Sequence, residues 1–249
     1  MKQILYLVIF LLTTLNFCQN EPLFEEGKAL YKAEKYQEAV VVWMKIIDKN
    51  EHSSALYFNL GNAHYKLNSV GPSIYYYEKA LQLSPHDTDV KNNLAFAQNA
   101  MVDDIEPLPV SIFTKWYKTL SGVFNYNEWA LAAVVFSISF VVLFLLYYFS
   151  FSETRKRLLF ASSLISIILL LISISMAFTT FSDTKNDRPA IIFAESIEIK
   201  SEPNLGSEVA FILHEGTKVQ VVAQDTEWVR IVIVDGKDGW IPVTDIKEL

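Results

Sequence analysis

Four histidines (His52, His64, His86 and His214) and one cysteine, Cys18, are the side chains of this 249-residue chain best suited to metal or nucleophile chemistry. Their spacing suits neither. A lone cysteine excludes an internal disulfide, a CxxC redox pair and a multi-thiolate zinc site, and the histidines lack ligand spacing. HExxH, the P-loop, GxGxxG and GxSxG are all missing from the sequence. His64 directly precedes Tyr65 within a helical pattern and reads as a packing residue. The acidic pairs Glu25-Glu26 and Asp103-Asp104 fall at a helix start and in a linker, where solvation accounts for them. No nucleophile–base pair emerges. The chain therefore reads as noncatalytic, with no catalytic or metal-binding residue and no cofactor expected.

The elements that would carry a function of another kind are sharply partitioned. Hydrophobic residues make up 51% of the chain and charged residues 20%, which does not suit one compact soluble domain. Residues 130–151 and 158–181 contain no charged side chain. The net charge is −7, and no segment is basic enough to attract nucleic acid. Residues 1–19 read as a signal peptide: Lys2, then an apolar run from Ile4 to Leu15 that is too short to span a bilayer. Cys18 raises the alternative of lipidation, but Phe17 stands where a small residue is wanted.

Segments 130–151 and 158–181 are each long enough, as helices, to cross a hydrocarbon core about 30 Å thick. Residues 152–157, SETRKR, form the expected loop between them, and its basic excess predicts a cytoplasmic position. Residues 20–128 and 182–249 would then lie together outside the cytoplasm. Neither span carries an ionisable residue, so an ion path lacks its usual marker. Ser162, Ser166 and Ser173 form either a small-residue packing face or a set of tolerated serines. Residues 103–128 form an aromatic juxtamembrane segment, with Ile112, Phe113, Trp116, Tyr117, Leu120, Val123 and Phe124 on one helical stripe. Such a stripe fits a helix in the headgroup layer, or one packed beneath the N-terminal region.

An internal period of 34 residues organises that N-terminal region, residues 20–102. Gly27 recurs as Gly61, Tyr31 as Tyr65, Ala39 as Ser73, Trp43 as Tyr77 and Ile46 as Ala80. The second copy, with Tyr57, Leu60, Gly61, Tyr65, Ser73, Tyr77, Ala80 and Pro85, resembles the tetratricopeptide (TPR) motif; the first matches more loosely, with Glu26 in a large apolar position. The resemblance implies two helix pairs, 20–53 and 54–87, and a capping helix over 87–101 with Val90, Leu94, Ala97 and Met101 inward. Two repeats and a cap fall short of the roughly three that stand alone, so the module is marginal or docks onto another surface. By the register of that family, a partner-binding groove would be faced by Phe24, Lys28, Tyr31, Lys32, Phe58, Asn62, Tyr65, Lys66 and Phe96. Tyr31 and Tyr65 read equally well as core. Phe24 stands where a carboxylate clamp needs lysine, so that subtype is not expected.

Residues 188–249 switch to period two, with turn signals at Pro203-Asn204, Glu215-Gly216 and Asp235-Gly236, and predict about five strands in a small barrel. The string from Leu213 to Val219, then Trp228-Val229-Arg230-Ile231, then Gly239-Trp240-Ile241-Pro242 resembles bacterial SH3 domains. The tryptophans Trp228 and Trp240 are expected to supply core or binding shelf. Asp245 and Ile191-Ile192-Phe193 depart from the aromatic clusters that grip proline-rich peptides. A protein surface, wall peptidoglycan or a purely structural contact remain as its ligand.

The expected fold class is thus a multidomain membrane protein of TPR repeats, two transmembrane helices and an all-β SH3-like barrel. That order of parts resembles the BatE-type proteins of aerotolerance (Bat) operons. The resemblance implies a membrane complex with von Willebrand factor A proteins and a MoxR-type ATPase, linked to oxidative-stress tolerance or envelope upkeep.

Overall fold

The computed structural model describes residues 21–249, and the expected signal segment with Cys18 lies outside the described residues. The described chain forms two compact units: residues up to Pro107 together with Arg188–Leu249, and residues Leu108–Asp187.

The first unit begins with two helix pairs, α1 (Glu21–Lys32) with α2 (Tyr36–Ile47) and α3 (Ser54–Lys66) with α4 (Val70–Leu83). Each pair closes over a glycine. A Cβ on Gly27 would collide with the Trp43 indole, and one on Gly61 would lie 2.6 Å from Tyr77 Cδ1, so the rings rest directly on the helix backbone. The connecting turns repeat as well: Glu34 (φ 61°) and Asn68 (φ 58°) occupy the same left-handed position 34 residues apart. Helix α5 (Thr88–Gln98), capped by Asp87, covers the second pair with Val90, Leu94 and Ala97. It is shorter than the 87–101 expected.

The β region has seven strands rather than about five: β1 Pro189–Ile192, β2 Ser196–Lys200, β3 Val209–His214, β4 Lys218–Asp225, β5 Trp228–Val232, β6 Asp238–Pro242 and β7 Ile246–Glu248. They form one antiparallel sheet in the order β3-β2-β6-β5-β4-β1-β7. Bulges at Ile199/Lys200 and Val221/Ala223 add twist where the sheet bends. Its core is aliphatic: Ala190, Ile192, Ile199, Leu213, Val219, Val221, Val229, Ile231, Ile233, Ile241 and Ile246. The tryptophans do not belong to it. On β5 and β6 the inward positions are Val229, Ile231, Gly239 and Ile241, so alternation turns Trp228 and Trp240 to the other face.

The helical and β parts are docked into one body. Strand β1 serves two cores at once: Ala190 and Ile192 enter the sheet's interior, while Ile191 enters the helical core. A strand covered on both faces has no need of polar residues, which accounts for the unbroken Ala190-Ile191-Ile192-Phe193 run.

In the second unit, α6 (Ile112–Ser121) leaves Ile112, Phe113 and Trp116 exposed. Val123 and Phe124 lie past its end, where Phe124 meets Trp129 edge-on at 5.1 Å, so the expected stripe is interrupted there. Helices α7 (Tyr126–Phe149) and α8 (Glu153–Asn186) are, by length and composition, long and apolar enough to cross a membrane. The first helix starts four residues before the apolar segment, at an Asn125/Glu128 capping box. Arg155, Lys156 and Arg157 occupy the opening turns of α8 rather than a loop; the connection is only Ser150–Ser152. Ser163, not Ser162, joins Ser166 and Ser173 in the buried face, and Ser166 Oγ donates to the Phe136 carbonyl at 2.9 Å. Successive helical steps of three (163 to 166) and seven (166 to 173) keep these serines on one face.

Candidate functional site

Two surfaces of the first unit carry residues singled out in the sequence, and a third region binds the unit together.

The groove positions do not form one continuous surface. Tyr31, Asn62, Tyr65, Lys66 and Phe96 gather around a cleft of about 200 Å³ together with Tyr77 and Asn93. Phe96 (62% exposed) and Tyr65 (41% exposed) stand open to solvent, so Tyr65 is not core. Asn62 is held by two donors to its Oδ1, Tyr77 Oη at 2.7 Å and Asn93 Nδ2 at 2.8 Å, which leaves its own amide hydrogens uncommitted to either residue. Burial pushes the Tyr77 phenol well above its usual range, so it remains a donor. Phe58 is partly buried against the Tyr77 ring at 6.1 Å and acts as wall. Phe24 packs on the helical core while its carbonyl accepts from Trp43 Nε1 at 3.2 Å. Lys28 is drawn to Glu25 (2.7 Å) and over the Phe24 ring (5.6 Å), away from this cleft. Lys32 is exposed, and neither it nor Lys66 has a carboxylate partner among the described residues. Tyr77, a motif position of the second repeat, and Asn93 are not among the expected groove residues: the Tyr77 bond to Asn62 needs α3 and α4 to pair, and the Asn93 bond needs α5 to be seated on them.

On the β sheet, Trp228 pairs with Pro242 and Trp240 with Arg230 across β5 and β6. All four belong to the face away from the aliphatic core, and both tryptophans are half-buried. Arg230 Nε donates to Asp238 at 2.6 Å and closes one side of the patch. Trp240 also pairs with Lys200, the one link in register between β2 and β6.

The seam between helices and sheet uses neither surface. It uses Gly71, Ile74, Tyr75 and Glu78, a single stripe of α4 at spacings of three, four and seven. Glu215 Oε2 accepts from Gly71 N–H at 2.9 Å, Lys218 pairs with Glu78 at 2.9 Å, and Phe193 meets Tyr75 edge-on at 5.5 Å. Gly216, at φ 89°, brings the β3–β4 turn so close that a Cβ there would lie 2.9 Å from Ile74 Cδ1. Asp103 closes the seam. Its Oδ2 accepts from His214 N–H (2.7 Å) and Thr217 Oγ1 (2.6 Å), and its Oδ1 is paired with His214 Nδ1 (2.7 Å). Burial alone would raise the Asp103 carboxyl, but the bonds from Thr217 and His214 outweigh it and hold the group below the usual carboxylate range. The expectation that solvation explains Asp103 is thus corrected: it follows the capping helix and is bound by a turn 111 residues away. His64 is also a packing residue, stacked 5.4 Å from Tyr76; burial, with Lys247 nearby, lowers its pKa to about 4 and keeps it neutral.

Among the described residues no group of three or more His, Cys, Asp or Glu could hold a metal ion. The clefts are lined by aromatic rings and by amides held in hydrogen bonds.

Comparison with known families agrees with this architecture. Residues 195–247 match the bacterial SH3 domain family, and residues 54–87 match the tetratricopeptide repeat family. The protein is therefore a helical TPR-containing region and a bacterial SH3 region, with two apolar helices of spanning length between them. Domains of these two kinds are typically noncatalytic interaction modules. Among solved structures, an NlpC/P60 family protein from Bacillus cereus ATCC 10987 is similar at 15% identity and a TM-score of 0.22. The match covers 28% of this chain and 23% of that one, so this chain spans about a quarter of that protein's length. A likeness that slight carries no weight for the activity. Comparison with curated proteins returned no match.

Proposed function

We propose that this protein is a noncatalytic membrane-anchored adaptor that holds protein partners at the outer face of the inner membrane. The observation that carries the reading is the cleft among Tyr31, Asn62, Tyr65, Lys66 and Phe96: exposed rings and an unpaired lysine around a pre-oriented amide. Rings and a fixed amide suit an extended peptide, whose backbone the amide can bond while its side chains stack.

The membrane topology draws support from the seam. Residues up to 107 and residues 188–249 are hydrogen-bonded to one another, which supports a shared compartment for both and an even number of membrane crossings between them. Two helices joined by three residues satisfy that condition. The Arg155-Lys156-Arg157 cluster at the turn favours a cytoplasmic bend, and hence an outer position for the folded unit. Helix α6 fits a place in the headgroup layer: its apolar residues share one face, with Lys115 and Lys118 on the other. In the Bat-type complex suggested by the order of parts, the partners would be von Willebrand factor A membrane proteins and a MoxR-type ATPase.

A photo-crosslinking residue at Tyr65 or Phe96, expressed in intact cells, tests the reading. Capture of an integral membrane protein at these positions, and not at exposed Leu205, is the expected result. Equal capture at all three would remove the groove from consideration.

A second reading, peptidoglycan binding through the β region, is favoured by the Trp228–Trp240 patch, which docking leaves uncovered. Sedimentation of the nanodisc-embedded protein with purified peptidoglycan, lost in Trp228→Ala, would support it over the first.

A further inference from the structure

The seam creates a second cleft, on the opposite side of the helices from the groove just described. It encloses about 550 Å³, within the range of about 300–1,000 Å³ typical of ligand sites. Met44, Ile47 and Leu83 line one part of it, and Tyr57, Tyr75 and Tyr76 supply aromatic wall. Two lysines from different parts of the chain converge on the same ring: Lys79 Nζ lies 5.7 Å from the Tyr75 centroid and Lys247 Nζ lies 5.9 Å from it. Lys247 belongs to β7, so the helices alone cannot build this site.

Neither lysine has a carboxylate partner among the described residues, and no acidic side chain lines the cleft. Other lysines of this unit do find one: Lys28, Lys200 and Lys218 all pair with glutamates. Lys79 is also partly desolvated, which pulls its pKa below the usual lysine value and leaves a cation without the counter-charge that would offset its burial. Aromatic faces compensate only in part. The exposed Gln82 amide at the rim adds a donor and an acceptor, and the acceptor oxygen can take a backbone N–H, a bond that a bare anion cannot supply.

We infer that this cleft is a binding site for a short acidic peptide segment, its carboxylates between Lys79 and Lys247 and a neighbouring apolar side chain against Tyr75 and Met44. The site is independent of the groove reading and stands if that reading fails. It would give the docked unit a second protein contact that exists only while helices and sheet are engaged.

The test uses the full-length protein in nanodiscs and a fluorescent positional-scanning pentapeptide library. Peptides with Asp or Glu beside Phe, Leu or Met should be retained. The double variant K79Q/K247Q should lower their affinity at least tenfold, K79R/K247R should retain it, and Y65A/F96A, in the groove, should leave it unchanged. Retention by K79Q/K247Q, equal selection of neutral peptides, or no retention of any peptide would overturn the inference. So would loss in Y65A/F96A alone, or capture only of soluble wall muropeptides or anionic lipids offered in parallel. If K79Q/K247Q fails to fold, the contrast of K79R/K247R with K79R/K247E under the same library decides the question.

Discussion

Removing the Asp103 carboxylate in Asp103→Ala should loosen the docking of sheet onto helices without unfolding either. The side chain is 12% exposed and accepts from three donors, of which Thr217 belongs to a residue only 4% exposed. Hydrogen bonds to a charged group contribute roughly 1.5–3 kcal/mol each, but the three share one acceptor group, and deleting a buried carboxylate also recovers its desolvation cost. A net loss of about 3 kcal/mol is the reasonable expectation, on the order of a hundredfold in the ratio of docked to open forms. The apolar half of the seam, Ile191 in the helical core and Phe193 on Tyr75, remains in place, so the variant should open more often rather than separate. Hydrogen exchange read by mass spectrometry on the full chain in nanodiscs reports this directly, because the His214 amide is itself one of the donors. Peptides spanning 213–218 should exchange about a hundredfold faster in the variant, while those from α3 and the β5–β6 hairpin change little. Asp104→Ala, at the exposed neighbour, should leave all of them unchanged. If the two variants exchange alike, the carboxylate is not holding the seam and the account of the docked unit is wrong.

Gly61→Ala should destabilise the helical part by about 1–3 kcal/mol, since its Cβ would lie 2.6 Å from two carbons of the buried Tyr77 ring; thermal unfolding by circular dichroism would show it, and an unchanged midpoint would contradict the packing. His64 has a folded pKa of about 4 against 6.5 unfolded. Its contribution is therefore complete above pH 6.5 and is lost as pH falls toward 4, by about 3 kcal/mol at most. His64→Phe keeps the stack on Tyr76 and should flatten the stability profile in that window; a slope equal to wild type would assign the acid sensitivity elsewhere. Asp103 is depressed too, so its share should persist through that window and disappear only below the ordinary carboxylate range, seen as a further acid step absent in Asp103→Ala. Ser166→Leu should separate α7 from α8, because Ser166 is buried against α7 and bonds the Phe136 carbonyl; cysteine crosslinking between the two helices should fall, and undiminished crosslinking would refute that contact.

The sequence by itself determined the parts whose signals are local. The 34-residue period follows from Gly27/Trp43 and Gly61/Tyr77, because a ring can rest on a helix only where a Cβ is missing. Charge-free stretches mark the apolar helices, since charge is what a bilayer excludes. Period-two alternation marked the β region, although seven strands were condensed to about five because β1 and β7 are short and β1 does not alternate. What only the tertiary structure decided depends on residues far apart in the chain. Asp103 looks like any solvated linker acid until His214 and Thr217 arrive, and Trp228 and Trp240 look like core until the aliphatic residues fill it. Lys79 and Lys247 are 168 positions apart and share a ring only because strand β1 is covered on both of its faces. Side-chain type records a residue's own preferences, whereas a composite surface is fixed by which elements pack together, and that is a property of the whole fold.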